Sequence, residues 1–298
     1  MTGSLPTARR GETPRSVREA ITAAMPELTR SEKRAAHVLL ADYPMLGLES
    51  ISTFAERAKV STATLQRLVS KLGYPSYPQF RTALRADLKA VRESPLTMPR
   101  GAGTDGRIAH LRNSMVDALT STFNAIDPSE LDAVVALLRD VKRTIFLAGG
   151  TFTHCVAAHL HFHLRKIRPG VVLLEQDMPR RVDQFLDASR RDVLVAFDIR
   201  RYQPDMRLTA DMAASRGASI VLITDQWLSD VTHVADHTFR CRVDAATPWD
   251  TIVGLVGLTE TIAASLDAEL WPQSRRRLGN MDALRDRTFV PDWDGGRD

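Results

Sequence analysis

Residues 61–71 of this 298-residue chain, STATLQRLVSK, combine short hydrogen-bonding side chains and cations with aliphatic ones in a helical rhythm. At about 100° per residue, Leu65, Leu68 and Leu72 share one face, while Thr62, Ala63, Gln66, Arg67 and Ser70 fall on the opposite one. Such a polar face suits the major groove of DNA. Gln66 could bind adenine N6 and N7, Arg67 could reach guanine or a phosphate, and Ser61 as N-cap with Thr62 could meet a phosphate at the helix N-terminus. Lys71 completes this candidate set. The apolar spacing alone fits equally well a small helical domain whose polar face meets only water. A second stretch, FDIRRYQPD over 197–205, follows a strand-like apolar run with Asp198, Arg200, Arg201, Tyr202 and Gln203. Open α/β sheets bind ligands at the C-terminal ends of their strands, and an arginine fork there recognises carboxylate or phosphate. Arg200 could instead pair with Asp198 or Asp205 and merely brace the loop or a dimer interface. A third stretch, HCVAAHLHFHLRK, places His159 and His163 four apart on one helical face, a spacing that could hold a metal with a third ligand. No HExxH pattern accompanies them and no carboxylate partner is evident. Packing or interface histidines are therefore expected, with no metal, no cofactor and no catalytic residue.

The elements that would position these groups fall into two sets. Helical spacing marks 31–41, with Ser31 as N-cap, then 50–58, 61–72 ended by Gly73, and 77–92. Within 51–73, Ala55 is the small residue needed where two short helices meet steeply, and Val60, Leu65 and Leu68 would pin the second helix: a helix-turn-helix. Lys59 stands where many such turns place glycine. Residues 1–16 read as a disordered arm, 17–93 as this all-α domain and 94–106, rich in Pro and Gly, as a linker. Beyond it come two amphipathic helices, then the apolar runs TIFLAGG, GVVLLE, DVLVAFD, SIVLITD and HTFRCRV alternating with helical stretches. That alternation predicts an α/β doubly wound domain over 107–270, with a five-stranded, mostly parallel sheet covered on both faces. A closing helix over 249–270 would precede a tail, 271–298, containing Arg275, Arg276 and Arg277.

Composition bounds the partners. The formal net charge is only +4, yet residues 1–93 carry 15 Lys and Arg against 9 Asp and Glu, whereas the remainder carries 25 against 27. The positive excess is thus confined to the first third, which fits a polyanion partner, although charge alone is explained more simply by a solvated basic surface. No apolar run reaches the length of a membrane span and the first residues lack a signal-peptide core, so a cytoplasmic protein with no membrane partner is expected. The two cysteines, Cys155 and Cys241, suggest neither a disulfide framework nor a zinc site.

Residues 27–90 resemble the N-terminal domain of the RpiR-type bacterial regulators, in the opening leucine and acidic residue, the S-x-A-T-x-x-R core and the LGY…Y-x-x-F ending formed by Leu72, Gly73, Tyr74, Tyr77 and Phe80. In that family the second domain is a sugar isomerase (SIS) domain, and 107–270 resemble it in strand order and in the turn after the first strand. The resemblance implies a phosphosugar cradle of the form Gly-x-Gly-x-Ser after the first strand. Here AGGTFTH aligns Gly149 with the first glycine, Thr151 with the second and Thr153 with the serine. A later Ser-x-Ser-Gly-x-Thr turn is replaced by the Asp198–Gln203 segment, so the hydroxyl cradle is absent there. The family implies a DNA-binding regulator whose operator affinity is set by a small anionic metabolite, a sugar phosphate or a carboxylate. Symmetry and helix-turn-helix docking geometry lead to the expectation of a homodimer or homotetramer on a pseudo-palindromic double-stranded operator. The competing reading is a phosphosugar isomerase or related SIS-domain enzyme, which would need a base over an open-chain sugar.

Overall fold

The computed structural model describes residues 16–92, 106–247 and 249–288. The chain divides into two compact units, one formed chiefly by residues up to 92 and the other chiefly by those from 106 on.

The first unit is helical: α1 (Val17–Ala24), α2 (Arg30–Ala41), α3 (Met45–Leu48), α4 (Ile51–Arg57), α5 (Thr62–Lys71) and α6 (Tyr77–Arg92). The short helices α1 and α3 are additions to the four read from periodicity. The cap of α2 is also corrected. Thr29, not Ser31, is its N-cap, accepting from the Glu32 backbone N–H while the Glu32 carboxylate accepts from that of Thr29 at 2.8 Å. This reciprocal box satisfies two otherwise orphaned donors. Ile21, Leu39, Leu46, Phe54, Leu65, Leu68, Phe80 and Leu84 form the core, each essentially solvent-free. Fully burying one such side chain contributes about 1.5–3 kcal/mol. Asp87 on α6 accepts from the Tyr43 hydroxyl at 2.5 Å and the Val17 N–H at 2.7 Å, fastening the start of α1. Burial raises its pKa, against the opposing effect of those two hydrogen bonds.

The second unit opens with α7 (Arg107–Asn124) and α8 (Pro128–Arg139). Then follow β1 (Ile145–Gly149), α9 (His154–Ile167), β2 (Val171–Leu173), α10 (Met178–Gln184), β3 (Val193–Asp198), α11 (Pro204–Ser215), β4 (Ser219–Asp225), β5 (His237–Cys241) and α12 (Val253–Thr288). The strand order is β2-β1-β3-β4-β5 and every pairing is parallel, with Ile145 opposite Val193 and Val193 opposite Ser219. Every residue of β1 and β3 is buried, as a sheet covered on both faces demands. Because β2 lies on one side of β1 and β3 on the other, the chain switches direction between β1 and β3, opening a crevice at their C-terminal ends. The closing helix differs from expectation. It runs to Thr288, carrying Arg275, Arg276 and Arg277 within it and Pro272 inside it. Pro272 cannot donate to the Ala268 carbonyl, which is why the sequence there reads as a stop. The expected arm (apart from Ser16) and linker (apart from Gly106), like residues 289–298, lie outside the described residues. Ser16 is the N-cap of α1, accepting from the Glu19 N–H at 3.1 Å.

Candidate DNA-reading face and ligand crevice

The turn between α4 and α5 is built by backbone geometry and one long-range arginine. The Val60 N–H donates to Ala55 O at 2.9 Å and the Lys59 N–H to Glu56 O at 3.0 Å, closing α4 with Lys59 in the left-handed region at φ 51°. Ala55 is buried at the elbow. Arg34, from α2, donates through Nε to Ala58 O at 3.1 Å and through Nη2 to Lys59 O, holding the carbonyls that α4 leaves open. Ser61 then caps α5 by accepting from the Thr64 N–H at 3.1 Å.

On α5, Thr64, Leu65, Leu68 and Val69 are buried, whereas Ser61, Thr62, Ala63, Gln66, Arg67 and Ser70 are exposed along one side. Arg67 lies back toward the helix start, its Nη2 3.3 Å from the Thr64 hydroxyl. Lys71 is committed elsewhere. Its ammonium pairs at 2.8 Å with Glu32, whose side chain is 2% exposed. Burial opposes the Glu32 charge, but hydrogen bonds from Lys71 and Thr29 outweigh it and hold the carboxyl below its ordinary range. Lys71 therefore clamps α5 to α2.

At the crevice, the turns after β1 and β3 meet. The Gln203 carboxamide accepts from the Thr151 N–H at 2.5 Å and donates to the Thr151 hydroxyl at 2.9 Å. These pairs sit beside the starts of α9 and α11, where backbone N–H groups favour anions. Gly149 is required by packing, because a Cβ there would lie 2.6–2.7 Å from backbone atoms of Thr153 and His154. Thr153 is inward-facing. Its hydroxyl donates to Phe197 O at 2.7 Å and accepts from the Gly150 N–H at 2.9 Å, so it ties the two turns together.

The arginines have a partner that sequence spacing did not reveal. Arg200 is buried against Asp250, with Nε at 2.5 Å, its side chain 1% exposed and that of Asp250 4%. Neither Asp198 nor Asp205 is that partner; Asp205 lies 3.7 Å from Arg181. Arg201, at φ 65°, is half-exposed, with Nη2 3.8 Å from the same Asp250. Asp225, ending β4, accepts from the Tyr202 hydroxyl at 2.6 Å and from the Arg200 backbone N–H. Asp198 accepts from the Ser229 hydroxyl. Burial pushes its carboxyl up to about 7, abetted by the Asp225 charge and opposed by the Ser229 hydrogen bond. Sequence reasoning therefore missed Asp225, Ser229 and Asp250; the only signal was an acidic residue closing the apolar run of β4.

The histidines of α9 do face a carboxylate from α12, His159 Nε2 lying 3.4 Å from Glu260, and the His159 and His163 rings meet edge-on at 4.7 Å. No group of three His, Cys, Asp or Glu among the described residues is arranged to hold a metal.

A helix-turn-helix unit followed by a doubly wound α/β unit is the two-domain layout of a DNA-binding transcriptional regulator. Residues 16–90 match the model of the helix-turn-helix domain of the rpiR family, and residues 137–266 match that of the SIS domain. The chain thus carries an rpiR-family helix-turn-helix domain followed by a SIS domain, and its relatives include HTH-type transcriptional regulators. It is 24% identical to the HTH-type transcriptional regulator HexR of Pseudomonas aeruginosa over 212 residues, 69% of this chain and 72% of that one. It is 25% identical to an HTH-type transcriptional regulator of Haemophilus influenzae over 215 residues, 70% of this chain and 74% of the relative. The Vibrio vulnificus NanR protein, solved in complex with ManNAc-6P, has a similar fold, with a TM-score of 0.54 at 18% identity over 92% of this chain and all of that one. No described helix is long and apolar enough to cross a membrane.

Proposed function

We propose that this regulator reads a pseudo-palindromic operator as a homodimer or homotetramer, with α5 of each copy in the major groove, and that a small anion in the crevice of the second unit sets operator affinity. The observation that carries the first half is the exposed side of α5. Gln66 and Arg67 project from a helix whose aliphatic side is fully buried. Ser61, Thr62, Ala63 and Ser70 border them, with phosphate contacts expected at the capped N-terminus. Half-sites would lie about 34–36 Å apart. Arg67→Ala should weaken binding by about 1–3 kcal/mol if the guanidinium reads a base. A fluorescence-anisotropy titration with no loss for either Arg67→Ala or Gln66→Ala would remove this face from the interface.

Two features support an anionic effector, a sugar phosphate or a carboxylate. The starts of α9 and α11 flank one crevice, and Arg201 stands half-exposed beside it. Gly149, Thr151 and Gln203 shape the floor, Thr153 and Asp198 brace it from within, and Tyr202 is fixed by Asp225. Asp250 is an internal anion on the arginines. An effector would compete with it for Arg201 and loosen its hold on Arg200, shifting the segment before α12 and hence the population of DNA-competent arrangements. The protein thus acts by binding rather than turnover, with no cofactor. Calorimetry against a panel of sugar phosphates and carboxylates tests this. Arg201→Ala should lose about 1.5–3 kcal/mol of binding, and Asp250→Asn should bind the same anion several-fold more tightly. Binding indifferent to both substitutions would place the effector elsewhere.

A further inference from the structure

The helix α9 begins at the crevice, but its second half borders a different feature. A groove of about 660 Å³ runs between that half and the last turns of α12, a size that suits a small organic molecule. Phe162, in its wall, stands about 12 Å along α9 from His154 at the crevice end. The apolar lining comes chiefly from Phe162, Leu278 and Met281, and Phe162 is 55% exposed. Aromatic and aliphatic surface gathered in one concavity marks a place where something apolar docks.

The charged lining is of one sign: Arg165, Lys166, Arg277 and Arg285, with no Asp or Glu among the described residues that line the groove. Two of these cations are held by the groove's own atoms. The Lys166 ammonium lies 3.4 Å from the centre of the Phe162 ring, and Arg277 Nη2 donates to Arg165 O at 2.7 Å. The Arg277 Nε–H, in contrast, is buried with no acceptor among the described residues, a state that costs free energy and that an anion beside the guanidinium offsets. The apolar floor selects against a wholly hydrophilic anion, whose polar groups would lie unpaired on Phe162 and Met281, and the cationic rim selects against an apolar molecule with no negative charge. A carboxylate matches the fork of a guanidinium and carries an apolar body readily.

We propose that this groove binds a small carboxylate with an apolar body, the carboxylate against Arg165, Arg277 and Arg285 and the body on Phe162, Leu278 and Met281. The site is separate from the crevice and stands whether or not the crevice takes an effector. Calorimetry of the full-length chain with decanoate tests it. Decanoate should bind at least about tenfold more tightly than hexanoate, which has a shorter apolar body, and than decan-1-ol, which lacks the charge. Arg165→Glu with Arg285→Glu should weaken decanoate about tenfold and strengthen decylammonium by a similar factor, a reversal that a misfolded chain could not give. Arg201→Ala, in the crevice, should leave decanoate binding unchanged. Equal binding of decanoate and decan-1-ol, or indifference to the charge reversal, overturns the proposal. A loss with Arg201→Ala would place the carboxylate in the crevice, and an affinity that falls as protein concentration rises would give the groove to a second copy; either result overturns it as well.

Discussion

Asp198 shows how much a single buried group can do to the pH response of a fold. Its carboxyl is pushed up to about 7 in the folded state by burial, whereas in the unfolded chain it titrates near 4. Below both values the proton is bound in either state. Between about pH 4 and 7 the unfolded chain has released it and the folded one has not, so this residue's contribution to stability falls as pH rises, and it levels off above about 7. Asp198→Asn, which keeps an acceptor for Ser229, should therefore gain stability relative to the parent between pH 4.5 and 7.5 and no further above; denaturant titrations across that range check it. A constant difference would mean that Asp198 ionises normally. None of this was legible in the sequence, where Asp198 stood as a candidate ligand-binding residue and a possible partner of Arg200. Its environment comes from Asp225 and Ser229, about 30 positions away and brought close only by the pairing of β3 with β4. Arg200 carries the same lesson, since Asp250 is fifty positions distant and belongs to no periodic pattern.

At the scale of elements, the reading was good wherever the determinants are local. The faces of α5, its Ser61 cap and the Gly73 stop depend on residues within a few positions, and so do the five apolar runs that became strands. Errors arose where a local signal had two meanings. Ser31 and Thr29 are both competent caps, and Glu32 three residues after Thr29 decides between them. Pro272 reads as a terminator, yet α12 continues past it. The turn of the reading head offers a direct test. Lys59 adopts φ 51°, a region costing a non-glycine residue about 1–2 kcal/mol. After allowing for the greater freedom of glycine in the unfolded chain, Lys59→Gly should stabilise the protein by about 0.5–1 kcal/mol in thermal or denaturant unfolding. A loss instead would mean that the lysine side chain supports the turn.

For the molecule as a whole, charge is distributed according to task, with the positive excess in the first 93 residues and a slight negative excess in the rest. Operator binding should accordingly fall steeply with salt, the logarithm of affinity dropping by about 0.9 per phosphate contacted for each decade of salt. Comparing slopes also separates the roles of Arg67. Its replacement by alanine should leave the slope unchanged if it reads a base and lower it by about one if it holds a phosphate.

The all-parallel sheet has a further consequence during synthesis. Each parallel pairing needs a crossover, so Ile145 meets Val171 on one side 26 residues later and Val193 on the other only 48 residues later. At about 5–20 residues per second, β1 waits roughly 2–10 s before β3 can pair with its second edge. That interval, rather than the finished fold, is where chaperones and growth temperature should govern the yield of native protein.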